Sequence, residues 1–115
     1  MSARYTGSTL DRDMALSRVG GDAELLKEIA VLFLDDYPKA LAEIRDALAR
    51  GDARGVERSA HGLKGSVANF GASSVVDAAR IIEEMGRNNR LAEVAHVINT
   101  LDLALAALRP ELEAI

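Results

Sequence analysis

The chain has 115 residues, a mass of 12.3 kDa and a net charge of −4, which bounds it to one small acidic domain. With no cysteine, it has no disulfide framework, no thiolate metal site and no thiol nucleophile. A pI near 5.1 leaves no basic footprint for nucleic acid, and no Gly-rich phosphate loop of the ATP- or NAD-binding kind is present.

The longest run without a charged residue, 65–76, includes Ser and Asn, so no membrane span is expected. The first residues lack the apolar stretch of a signal peptide, so the expected location is the cytoplasm. Alanine and leucine together supply 35 residues, against 17 for valine, isoleucine and threonine. Strong helix formers thus outnumber strand formers, and the expected class is all-α.

In chain order, residues 1–9 are expected to be disordered and 10–115 to form the domain. Asp11 to Arg18 reads as a short helix stopped by Gly20-Gly21. Asp22 is placed to cap the next segment, where Leu26, Ile29, Phe33, Tyr37, Leu41, Ile44 and Leu48 recur at spacings of three and four. Pro38 removes one hydrogen bond within that stripe, which nevertheless keeps its phase. Residues 22–50 therefore read as one long helix kinked at Pro38, or two nearly collinear ones.

Gly51-Asp52 makes the next turn, with Asp52 as N-cap. Helix 53–70 then lines up Val56, Ala60, Leu63, Val67 and Phe70, and Gly71 ends it. Ser74-x-x-Asp77 resembles a capping box and opens helix 74–86, with Val75, Ala79 and Ile82 inward. Gly86 and Asn88-Asn89 form the following break. The last helix, 90–108, carries Leu91, Val94, Ile98, Leu101, Leu105 and Leu108 before Pro110 stops it. Four amphipathic segments with short connections predict an antiparallel four-helix bundle with a short extra N-terminal helix.

Helix 53–70 is locally poor for a helix, because Gly62 and Gly65 lie in its interior. Each costs about 1 kcal/mol relative to alanine, and such violations tend to mark functional positions. At about 100° per residue, His61 points about 140° away from the apolar stripe and Gly65 about 180° away. Ala68 falls near His61, and Lys64 lies about 60° to one side. An exposed imidazole beside bare backbone invites close approach by another protein. Without the glycine, an exposed histidine would read as an ordinary surface residue.

The run from His61-Gly62-Leu63-Lys64-Gly65 through Asn69-Phe70-Gly71-Ala72 resembles the phosphoacceptor motif of histidine-containing phosphotransfer (HPt) domains. The motif runs His-x-Leu-Lys-Gly, small residues, and an apolar residue before Gly-Ala. Val19-Gly20-Gly21-Asp22 through Leu25-Leu26 and Leu32-Phe33-Leu34 is similar to the family's start of its first long helix, so the resemblance covers residues 10–108.

The resemblance implies that His61 takes a phosphoryl group from a phospho-aspartyl receiver domain and passes it to the receiver domain of a response regulator. Neutral histidine, with an ordinary pKa near 6.5, is suited to that nucleophilic role. Lys64 would offset the phosphoryl charge, and Gly65 would give the partner access. Ala68 and Asn69 would belong to the docking surface. A Gln or Glu from the following helix often bonds the imidazole in this family. Glu83, about 60° from the centre of its helix's apolar stripe, is the candidate, against the alternative of an ordinary solvated glutamate. Glu57, one turn before His61, would repel phosphate unless Arg58 or Lys64 screens it.

The partners so implied are receiver domains of response regulators and of a hybrid sensor histidine kinase. The chain is expected to be a monomeric phosphocarrier, not an enzyme, with no cofactor of its own; Mg²⁺ would belong to the receiver. The alternatives are a module that binds receivers without accepting phosphate, and the phosphoacceptor segment of a chemotaxis-type kinase. Glu93-x-x-His96 matches half of a di-iron motif, but its partner pair is missing and His96 reads as a surface residue. Asp35-Asp36 and Glu83-Glu84 read as solvated faces rather than catalytic pairs, because adjacent helical residues diverge by about 100°. Phe33 and Met85 read as core.

Overall fold

The computed structural model describes residues 10–115; the expected disorder of 1–9 falls outside them. Five α-helices account for most of the described chain: α1 (Arg12–Arg18), α2 (Ala23–Ala49), α3 (Ala53–Ala68), α4 (Ser73–Arg87) and α5 (Val94–Glu113), with a 3₁₀ turn at Leu91–Glu93. No strand occurs among the described residues. The main contacts run α2–α3, α3–α4, α4–α5 and α5–α2, closing a four-helix bundle to which α1 is appended.

The helix starts obey local chemistry where an aspartate is available. Asp11, Asp22 and Asp52 each accept a hydrogen bond from the backbone N–H three residues on, of Met14, Leu25 and Gly55. Helix α2 runs unbroken through Pro38, because Phe33, Tyr37 and Leu41 on either side are buried in one stripe. The buried face of α3 is the one expected: Val56, Ala60, Leu63 and Val67. Phe70, just past its end, is fully buried against Phe33, with ring centroids 5.4 Å apart. Each such large apolar side chain stabilises the fold by about 1.5–3 kcal/mol. Met85 is only half-buried, at the margin of this core.

Helix α3 ends at Ala68, two residues before the expected end, and Gly71 takes the left-handed conformation (φ 70°) of a helix-ending glycine just beyond it. Three local expectations fail, each because a tertiary contact outweighs a local signal. The Ser74 capping box does not form: α4 starts at Ser73 with Ala72 as N-cap and no side-chain cap bond. Burial of Ala72 and Val75 sets that start.

Gly86 is not a break but a buried position inside α4; the turn comes later, where Asn89 adopts φ 55°. Pro110 does not stop α5. Its missing N–H leaves one carbonyl without a helical donor, but Leu112 is buried one turn on. Glu111 also accepts a hydrogen bond from the Leu10 N–H at 3.0 Å, pinning that last turn.

The segment Leu91–Glu113 is long and apolar enough to cross a membrane by length and composition. In the bundle, its Val94, Ile98, Leu101, Leu105 and Leu108 are spent on the core, and Asp102 pairs with Arg45 of α2 at 3.2 Å.

Candidate functional site

The site lies on the outer face of α3, at the seam with α4. His61 projects from the middle of α3 with 66% of its side chain exposed. Glu83 of α4, whose side chain is only 6% exposed, reaches it across the seam: Oε2 lies 2.9 Å from His61 Nδ1. Lys64 Nζ sits 2.7 Å from the other oxygen, Oε1.

A buried carboxylate is expensive unless charges and donors meet it, and here they do. The bond from Lys64 holds the Glu83 carboxyl below the usual carboxylate range; desolvation opposes this, and His61 adds to the lowering. An ionised carboxylate can only accept hydrogen bonds, so Nδ1 of His61 is the protonated nitrogen. In that tautomer the unprotonated lone pair is on Nε2.

The seam can be this close because of Gly86. A Cβ there would lie 2.7 Å from the Glu57 backbone nitrogen and 2.9 Å from the Ala53 carbonyl oxygen. Bare backbone on α4 therefore lets α3 pack tightly, one turn along from the Glu83–His61 bond. At Gly62 and Gly65 the situation is reversed: a Cβ at either would meet nothing within 4 Å. Packing does not require those glycines.

Glu83 is therefore not the solvated residue that Glu83-Glu84 suggested; Glu84 is half-buried and pairs with Arg80 at 3.0 Å. Lys64 is drawn to Glu83 in this structure, which sequence spacing within α3 alone does not foresee. Gly65 and Asn69 are exposed and Ala68 is half-buried.

Arg87 is the residue that the sequence reading missed. Its Nη2 donates to Glu83 Oε2 at 3.0 Å and its Nε to Glu57 Oε2 at 3.1 Å. Glu57 is thus screened by Arg87, whereas neither Arg58 nor Lys64 lies within ion-pair distance of it. The i,i+4 spacing of Glu83 and Arg87 was the available signal. An open cleft of about 460 Å³ beside His61 is walled by Arg54, Glu57, Arg58, Glu83 and Arg87. On the opposite side, a groove of about 380 Å³ between α2 and α3 runs past Gly62, with Phe33, Tyr37, Ala40 and Leu63 in its wall. His96 is exposed, and among the described residues no group of three or more His, Asp or Glu is gathered to hold a metal ion.

Against known families, residues 28–111 match the Hpt domain. The chain belongs to the Hpt domain family. It is a histidine phosphotransfer protein of the phosphorelay type, a family of phosphocarriers rather than kinases that works with receiver domains. The fold is shared with the crystal structure of histidine-containing phosphotransfer protein B from Pseudomonas aeruginosa PAO1. That likeness has a TM-score of 0.84 at 24% sequence identity and covers 91% of each chain. No curated protein sequence matches the chain significantly.

Proposed function

We propose that His61 is the phosphoacceptor of this Hpt domain, taking a phosphoryl group from an aspartyl phosphate on one receiver domain and handing it to an aspartate on another. The observation that carries this reading is an exposed imidazole whose Nδ1–H is held by a buried, ionised carboxylate.

The Nε2 lone pair attacks phosphorus in line, the bond from phosphorus to the aspartyl oxygen breaks, and the aspartate leaves as carboxylate. The ring keeps its Nδ1 proton and becomes cationic, and Glu83 stabilises that charge. Onward transfer reverses these bonds, with the second aspartate as nucleophile. Lys64 contributes positive charge on the phosphoryl side, shared with Glu83 in the resting state. Gly65, with open space around it, lets the receiver's backbone approach, and Ala68 and Asn69 extend the docking surface. Mg²⁺ is supplied by the receiver, and the domain works as a cytoplasmic monomer.

The partners are receiver domains of a hybrid sensor histidine kinase and of response regulators. The test is His61→Gln presented with phosphorylated receiver domains. Acid-labile, base-stable label disappears while helical circular dichroism is unchanged; normal labelling of the variant refutes the assignment. The same assay rejects the alternative of a module that binds receivers without accepting phosphate.

A further inference from the structure

Glu83 carries more donors than it needs to orient an imidazole. Its Oε2 is shared between His61 Nδ1 at 2.9 Å and Arg87 Nη2 at 3.0 Å, while Lys64 takes Oε1. The same guanidinium uses its Nε for Glu57, which stands one turn before His61 on α3. Arg87 is therefore a bridge between the carboxylate behind the imidazole and a carboxylate beside it.

The charged groups that face the imidazole come from both helices of the seam: Arg54, Glu57, Arg58 and Lys64 from α3, and Glu83 and Arg87 from α4. Of the cations, only Lys64 and Arg87 lie within ion-pair distance of Glu83, and only Arg87 within that distance of Glu57. A fork of guanidinium donors suits this double duty, because it can hold two carboxylates in fixed directions; an ammonium is a point charge.

We propose that Arg87 is a positioning residue for phosphoryl transfer: by bridging Glu57 and Glu83 it keeps Glu57 neutralised and limits how strongly Glu83 draws a proton onto His61. Without the bridge, two under-compensated carboxylates face one imidazole. Its protonated, non-nucleophilic form is then favoured, and a negative charge stands beside the incoming phosphoryl group. This inference rests on His61 being the phosphoacceptor.

The test needs no partner protein. Potassium phosphoramidate serves as donor: Nε2 attacks the phosphorus of its zwitterionic form, whose nitrogen already carries three protons, the phosphorus–nitrogen bond breaks, and the nitrogen leaves as neutral ammonia with the bonding electron pair. Arg87 is half-exposed, so its effect is set by screened charge. Arg87→Ala is expected to accept phosphoryl about fivefold more slowly, most markedly on the acid side of the profile. The midpoint of the His61 imidazole titration, followed by nuclear magnetic resonance, moves to higher pH than in the parent. Arg87→Ala with Glu57→Gln regains most of both losses, and Arg87→Lys falls between Arg87→Ala and the parent.

Parent-like rate and midpoint in Arg87→Ala overturn the bridge. So does a slower rate with an unmoved midpoint, because that marks a merely structural defect. His61→Gln in the same assay separates the two levels. If it still gains phosphohistidine, the phosphoacceptor assignment fails; if it is silent while Arg87→Ala behaves as the parent, only the bridge fails.

Discussion

Gly65 and Gly86 are both helical glycines near His61, yet they do opposite things. At Gly86 the backbone of α3 occupies the space a side chain would need, so this glycine holds the seam closed. At Gly65 the space is empty, so the glycine serves nothing within the described fold. One face of α3 is thus filled by the protein itself, and the other is left open. A helix can present an exposed nucleophile on a rigid frame only if its two sides are treated this differently.

The same methyl group placed at both positions separates the two roles. Gly86→Ala is expected to destabilise the domain by about 1–3 kcal/mol in urea denaturation, because the groups in its way are backbone atoms with no rotamer to yield. A neutral result would mean that the seam has slack, and that Glu83 is not held at His61 by close helix packing.

Gly65 sharpens the contrast with a smaller effect of mixed sign. Gly65→Gln is expected to slow receiver-to-His61 transfer about tenfold through misplaced docking. The same change, like Gly65→Ala, raises stability by about 0.5–1 kcal/mol by removing helical glycine. Loss of stability there, or an unchanged transfer rate, would deny Gly65 its place in the docking face.

Much of this was legible in the sequence because it depends on neighbours along the chain. The aspartate caps, the apolar stripes and the outward direction of His61 all follow from spacing within one helix. Glu83 was legible only as a position near the edge of a stripe; its near-complete burial and its pairings with His61 and Lys64, beside that with Arg87, depend on how α4 meets α3. Gly86 was misread for the same reason. Next to Asn88-Asn89 it looks like a helix stop, whereas its reason is the backbone of a helix some thirty positions earlier. Arg87 escaped because its partner Glu57 lies on that other helix. Pro110 was read by its local rule, and the burial of Leu112 overrode it. What the sequence withheld was the pairing of faces between helices, and the chemistry of the site sits on such a pairing.

In the proposed mechanism Glu83 fixes the proton on Nδ1 and thereby makes Nε2 the phosphoacceptor. Phosphorus–nitrogen scalar coupling in the phosphorylated, isotopically nitrogen-labelled protein locates phosphorus on the ring. Coupling to Nε2 of His61, with Nδ1 still protonated and bonded to Glu83, is the predicted result. Phosphorus on Nδ1, on His96 or on a carboxylate would contradict it.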